Sequence, residues 1–208
     1  MLKSSIRAIC AGIAISIGGI AFLASDDPWT FPIGLFMVCF LKFNLFTGKI
    51  SYIEEIKEIP GLLWMWVLNI LAAYGTGVLV HYMRPDLVET AYNMVLNKSN
   101  EGLWVIPRAI LCNIMIFVAV HSWKQLPSPK NVVGLIFATA IFVICGFEHC
   151  IANAFYIGCA LAPIGMTKFL LLNSLGNAIG GIAAYQAVQF IKEPYNPHAI
   201  SLDDIYQP

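Results

Sequence analysis

A carboxylate, an imidazole and an amide lie close together in the segment 146–153, inside a run that is otherwise apolar enough to cross a membrane. These groups belong to Glu148, His149 and Asn153. Ionisable side chains at bilayer depth are costly, so they indicate a functional site. Histidine suits proton transfer there because its unperturbed pKa is about 6.5. We leave open a purely structural His149, bonded to Glu148 or to a backbone carbonyl.

A second interruption, Asn44-Leu45-Phe46-Thr47-Gly48, breaks an earlier apolar run. Paired broken segments in the two halves of a membrane chain indicate a solute path between them. Thr47 has two interpretations: it contacts the solute, or its hydroxyl caps the half-helix that follows. The two breaks together predict a transport protein.

Composition sets the class of protein. Of the 208 residues, 59% are hydrophobic and 12% are charged, and the mean hydropathy is +0.75. This predicts an all-α membrane protein that crosses the bilayer several times. The formal net charge is zero and no basic block occurs, so no nucleic-acid partner is expected. The six cysteines form no CxxC pair, and we expect buried free thiols and neither a metal nor another cofactor.

Six regions are long enough to cross a bilayer, and the second and fifth are broken near residues 46 and 149. They are approximately 6–25, 31–58, 60–82, 103–123, 131–162 and 168–191. A signal peptide is the alternative for the first region, because Lys3 and Arg7 precede its apolar stretch, Ala8 to Leu23. A polar connector, Met83 to Asn100, separates halves 1–82 and 103–192 of one channel domain, 1–192. Three spans in each half predict an inverted repeat.

Orientation follows from the positions of Lys and Arg in the loops. With the N-terminus inside, seven loop cations lie inside and three lie outside, so we expect both termini in the cytoplasm, including the tail 193–208. The inside set is Lys3, Arg7, Lys49, Lys57, Lys124, Lys130 and Lys192, and the outside set is Arg84, Lys98 and Lys168. Recurring glycines, such as Gly75-x-Gly77 and Gly176-x-x-x-Gly180, are typical of close helix packing.

The sequence resembles the formate/nitrite transporter family. Gly146-Phe147-Glu148-His149-Cys150-Ile151-Ala152-Asn153 is similar to the family's GFEHSxAN signature, with Cys in place of Ser. Leu45-Phe46-Thr47-Gly48 matches its LFTG loop, and Arg108 to Asn113 resembles the start of its fourth helix. The resemblance implies an aquaporin-like fold, a homopentamer with one pore per protomer, and a bacterial inner-membrane channel for formate or nitrite. Hydrosulfide is the alternative substrate.

The resemblance also implies roles for individual residues. His149 would be the central pore group, with Thr47, Asn113, Asn153 and Glu148 beside it and Lys98 gathering anions in the outer vestibule. One hydrophobic constriction would be formed by Phe31 and Phe142 and the other by Leu45 and Phe46, and Leu35 would also line the pore.

The physical need for such a pore can be stated independently of the family. An anion in a low-dielectric channel costs on the order of tens of kcal/mol. Protonating a weak acid with a pKa of about 3.8 costs roughly 4.4 kcal/mol at pH 7. Small anions of weak acids, together with protons, are therefore the expected solutes.

Lys42 departs from the family, where this position is usually Gly. Its place before Thr47 allows a pore-facing role near the central chamber, a pair with Glu148, or a position along a protomer interface. Arg108 matches a residue that is common in the family.

The alternative from another class is a haem-binding membrane subunit that uses His81, His121 or His149 as ligands. No facing pair of histidines is evident in the sequence. No Ser-His or HExxH arrangement supports a hydrolase.

Overall fold

The computed structural model describes residues 2–100, 102–162 and 166–191, and every regular element in them is helical. The predicted all-α fold with broken second and fifth regions is confirmed. The elements are α1 (Leu2–Ser25), α2 (Pro32–Phe40), α3 (Phe46–Ile50), α4 (Ile59–Met83), α5 (Val88–Ser99), α6 (Val105–Gln125), α7 (Lys130–Ile144), α8 (Cys150–Cys159) and α9 (Met166–Ile191). The predicted tail 193–208 lies outside the described residues.

Three stretches of the described chain are long and apolar enough to cross a membrane without interruption. They are Leu2–Ser25, Ile56–Met83 and Gly102–Gln125. Helix α9 has 26 residues but buries the polar side chains of Asn173, Ser174 and Asn177. The broken regions are each divided into a pair of shorter helices, α2 with α3 and α7 with α8.

The two breaks share one backbone geometry. Helix α2 ends where the Phe43 N–H donates to the Val38 carbonyl at 2.9 Å, and α7 ends where the Phe147 N–H donates to the Phe142 carbonyl at 3.0 Å. The residue before each donor is left-handed, with φ of 57° at Lys42 and 65° at Gly146. This turn is the Schellman end of a helix, which favours glycine. The matching turns support the repeat at the level of individual hydrogen bonds.

Helices α3 and α8 begin in the same way. In each, the residue before the first helical position is extended, with φ and ψ of −99° and 127° at Leu45 and of −102° and 115° at His149. A buried asparagine from another helix then accepts the first N–H of the half-helix: Asn69 in α4 for Phe46, and Asn177 in α9 for Cys150. The broken ends are thus satisfied inside the protein, as membrane burial requires.

The polar connector that the sequence suggested is largely a helix, α5. Leu87, Ala91 and Val95 are buried, and α5 packs on α8. The outer face is polar, which explains why the segment reads as a connector. Helix α5 brings Lys98, in its last turn, to the second break.

Glycines allow the closest helix contacts. A Cβ added to Gly77 would lie 2.2 Å from the Phe155 carbonyl, and one added to Gly180 would lie 2.1 Å from the Ile110 carbonyl. These contacts join α4 to α8 and α6 to α9. At Gly75 an added Cβ would meet no atom within 4 Å, so only the second glycine of the Gly75-x-Gly77 pair serves this packing.

Candidate functional site

The two breaks meet through a single side-chain contact. Thr47 Oγ1 and His149 Nε2 are 2.9 Å apart, and both side chains are almost fully buried. Thr47 lies in the first turn of α3, and His149 is the residue that caps α8. Residues 102 positions apart are therefore adjacent at the centre of the protein.

The other ring nitrogen of His149 fixes its tautomer. The backbone N–H of Ala152 donates to Nδ1 at 3.2 Å, so this nitrogen must present its lone pair. In the neutral ring the proton is then on Nε2, which donates to the Thr47 hydroxyl. To bind a second proton, the ring must release the Ala152 N–H. The structural interpretation of His149 is correct in one respect, since the imidazole also caps α8, although through an N–H and not through a carbonyl.

The Thr47 hydroxyl does not cap α3. That helix has no cap from its own preceding side chain, and the Asn69 amide accepts the Phe46 N–H at 2.8 Å instead. Asn113 holds the Thr47 backbone by donating from Nδ2 to its carbonyl at 3.1 Å. The Thr47 hydroxyl is thus left to face His149, the geometry needed if a solute is to replace one partner of this contact.

Glu148 lies in a neutral ion pair. Lys98 Nζ donates to both carboxylate oxygens at 2.6 and 2.7 Å, and Asn153 Nδ2 donates to Oε2 at 2.6 Å. Because Glu148 is 1% exposed, the pair compensates a charge that would otherwise be very costly to bury. The idea that Lys42 pairs with Glu148 is wrong, since Lys98 takes that place.

A small cavity of about 90 Å³ lies beside this pair, and we call it the Lys98 cavity. Phe31 and Phe142 line it, with their rings edge to face at a centroid distance of 5.5 Å. The Phe142 ring stacks on His149 at 5.9 Å. Because the Lys98 ammonium is matched by a carboxylate, this cavity lacks the isolated positive charge that the sequence suggested for the outer vestibule.

A larger cavity of about 380 Å³, which we call the Lys42 cavity, lies at the first break. Leu35 and Leu45 line it and are almost fully buried themselves. Four cations also line it: Arg7, Lys42, Lys49 and Lys124. Phe46 is buried beside Thr47 and is not among the residues that line either of these two cavities.

Lys42 lies at the surface of the Lys42 cavity. It is exposed and lines the Lys42 cavity with Leu45, so it faces a vestibule and not a buried central chamber. It occupies the left-handed position that Gly146 occupies in the second half. The glycine preference that the resemblance implies at residue 42 therefore has a backbone explanation.

The histidines proposed as haem ligands each contact protein groups. His81 Nδ1 is 2.8 Å from the Cys159 carbonyl oxygen, and the His121 ring stacks on Phe117 at 5.0 Å. Within the described residues, no group of three His, Cys, Asp or Glu side chains could hold a metal ion. No observation favours the haem interpretation.

Comparison with known proteins agrees with this geometry. A family model described as formate/nitrite transporter matches residues 1–191. The chain is 27% identical over 202 residues to the probable formate transporter of Methanothermobacter thermautotrophicus, covering 78% of this chain and 74% of that protein. It is 24% identical over 248 residues to the formate channel FocB of Escherichia coli, covering 91% and 88%. A solved pentameric formate channel with formate bound superposes with a TM-score of 0.80 at 21% identity, over 92% of this chain and 98% of that one.

Proposed function

Because this chain belongs to the formate/nitrite transporter family, we propose that it is a membrane channel or facilitator for small monovalent anions of weak acids, formate or nitrite. The observation that carries the proposal is the contact between Thr47 and His149. It lies where two broken helices meet, with hydrophobic constrictions and a cavity on each side. Such a contact offers a passing solute a hydrogen bond at the point where water is excluded.

The permeating species is neutral in the constrictions. An anion reaches the Lys42 cavity or the Lys98 cavity, takes up a proton near His149, and crosses as the acid. Phe31 and Phe142 form the constriction on one side, and Leu35 and Leu45 form it on the other. These side chains are at most 3% exposed, so a bare anion would be desolvated between them at a cost on the order of tens of kcal/mol.

His149 provides the hydrogen bond and the route for the proton. Its Nε2–H already faces an oxygen, that of Thr47, and a carboxylate oxygen can take the place of that hydroxyl. To donate this proton, the ring must first bind a proton at Nδ1, which requires the Ala152 N–H to give up its bond; loss of the Nε2 proton to the carboxylate then leaves a neutral ring. Protonating formate at pH 7 costs roughly 4.4 kcal/mol, against close to nothing for hydrosulfide, whose pKa is near 7.

We further propose that the chain is a homopentamer in a bacterial inner membrane. Exposed apolar side chains on α4 and α7 support burial against lipid or against neighbouring protomers; they include Leu63, Trp64, Leu71, Leu79, Val133, Phe137, Ile141 and Ile144. Arg7, Lys49 and Lys124 line one cavity, and the excess of Lys and Arg on the cytoplasmic side of membrane proteins supports a cytoplasmic position for this cavity and for both termini.

The proposal is tested with the full chain in liposomes that contain a pH-sensitive dye. External formate, nitrite, hydrosulfide or chloride is added, and protein-free liposomes give the background. We expect internal acidification with formate and nitrite above that background, and none with chloride. Acidification with hydrosulfide alone would favour the alternative substrate. No response to any of them from an intact oligomer would overturn the proposal.

A further inference from the structure

The Lys42 cavity concentrates positive charge, and the carboxylate of Glu58 lies outside it, in a neighbouring cavity that shares Lys49 and Lys124. Arg7, Lys42, Lys49 and Lys124 line it, and none of its lining residues carries a carboxylate. They come from α1, the first break, α3 and α6, so the fold brings together cations that are far apart in the sequence. The Lys98 cavity differs, because its Lys98 is paired with Glu148.

These four side chains also lack ion-pair partners elsewhere in the described chain. The salt bridges found there join Lys57 to Glu55, Arg84 to Asp86 and Lys98 to Glu148. Lys124 does contact an aromatic ring, with its Nζ 3.5 Å from the Tyr52 ring centroid, which leaves its charge in place. Like charges that share a cavity repel one another, and a bound anion relieves that repulsion.

Lys42 adds a backbone argument. It holds a left-handed conformation, φ 57°, that its counterpart Gly146 adopts without a side-chain penalty. A non-glycine residue in this region is strained. The strained residue brings an ammonium group to the cavity. A glycine would form the same turn without that strain. The first break thus has a fourth cation at the position where the second break has Gly146.

Two features of the cavity determine which anions bind there without crossing: its positive charge and the apolar constriction beyond it. A dianion is attracted about twice as strongly as a monoanion by the same potential. The cavity of about 380 Å³ is ample for a small oxyanion or dicarboxylate. Beyond it lie the buried side chains of Leu35 and Leu45, and a dianion must take up two protons to pass them as a neutral molecule. Such an anion can enter and bind but does not cross.

We propose that the Lys42 cavity is a binding site for small divalent anions, which block the pore from that side. Binding follows from the cavity alone, while blocking rests on the proposed transport function. The site links passage of monovalent anions to the concentration of divalent oxyanions or dicarboxylates in the compartment that the cavity faces.

Binding is tested first, by titrating sulfate into the purified full chain in detergent at constant ionic strength, with chloride as the balancing anion. We expect saturable binding of sulfate, and Lys42→Gly should raise its dissociation constant roughly fivefold, since one unit charge is lost a few ångströms from the ligand. Lys49→Met should act in the same direction and serves if the first variant does not fold. Lys57→Gln is the matched control, because Lys57 is highly exposed and paired with Glu55, away from the lining residues.

Blocking is tested in liposomes with sulfate on both sides. We expect sulfate to slow formate-driven acidification more than chloride does at equal ionic strength, and Lys42→Gly to weaken that effect. Formate flux without saturable sulfate binding, or equal binding by wild type, Lys42→Gly and Lys49→Met, would overturn the site while leaving the transport function intact. Sulfate binding without formate flux would support the site and count against the transport function.

Discussion

Asn69 and Asn177 perform the same task at opposite breaks. Each accepts the first N–H of a half-helix through Oδ1, at 2.8 Å from Phe46 and 2.9 Å from Cys150. Asn69 Nδ2 donates to the carbonyls of Ala8 and Asn44, and Asn177 Nδ2 donates to those of Ala109 and Glu148. One amide thus joins three segments in each half, and these two networks hold the pore contact between Thr47 and His149 in register.

Replacing Asn177 by Leu should destabilise the protein strongly. The N–H of Cys150 and the carbonyls of Ala109 and Glu148 would lose buried partners, at about 1–3 kcal/mol for each group left unsatisfied. We expect a clear fall in the thermal unfolding midpoint of the detergent-solubilised protein, followed by tryptophan fluorescence. The control is Asn93→Ala, at an exposed position on α5. Equal midpoints for the two variants would contradict this role.

The two left-handed residues, Lys42 and Gly146, predict opposite effects of substitution on stability. Lys42→Gly should stabilise the fold by about 1 kcal/mol, because φ is 57° there, and Gly146→Ala should destabilise it by a similar amount, because φ is 65°. A Cβ at residue 146 would meet no atom within 4 Å, so a loss there reports backbone strain alone. Thermal unfolding midpoints that move in the same direction in both variants would refute the argument.

Two glycines of α4 provide a matched test of helix packing. Gly77→Ala would put a Cβ 2.2 Å from the Phe155 carbonyl and must push α4 away from α8, whereas Gly75→Ala meets open space. Overpacking of this kind costs typically about 1–3 kcal/mol, while alanine at an open helical site is neutral or slightly stabilising. The thermal unfolding midpoint should fall for the first variant only. A fall of equal size for Gly75→Ala would show that the α4–α8 contact is not the cause.

The broad fold could be predicted from the sequence because its signals are local. Long apolar runs and the polar residues that interrupt them gave the helices and both breaks, and the similar plan of the halves gave the repeat. The helix α5 was missed because only Ala91 and Val95 are buried on it, with Leu87 just before it, and these are too few apolar positions to stand out beside the spans.

The partners inside the site could not be predicted in the same way. The bond between Lys98 and Glu148 joins residues 50 positions apart, and neither residue type specifies the other. Asn69 and Asn177 did leave a signal, since both are amides in apolar helices, but the group that each one binds depends on how α4 and α9 pack. The left-handed turn at Lys42 was hidden because the residue there is not a glycine.

The ion pair of Lys98 and Glu148 can be tested by a double-mutant cycle. Lys98→Met leaves a carboxylate that is 1% exposed with Asn153 as its remaining partner, and breaking a buried pair from one side costs about 3–5 kcal/mol. Lys98→Met with Glu148→Gln removes both charges and should recover most of that loss. The measurement is the thermal unfolding midpoint of all four proteins. Additive effects of the two substitutions would show that the pair is not coupled.

Substituting His149 by Asn should change the pH dependence of transport more than assembly. Without a titratable ring beside Thr47, formate uptake should follow the fraction of neutral acid in solution, which falls about tenfold per pH unit well above its pKa. With His149 present, proton uptake at the ring should make that decline shallower. Initial rates of dye acidification at several pH values give both slopes, and size-exclusion chromatography reports assembly. His81→Asn is the control, since His81 bonds the Cys159 carbonyl, away from the Thr47 contact. Identical slopes for wild type and His149→Asn in intact oligomers would remove His149 from the proton path and leave it the cap of α8.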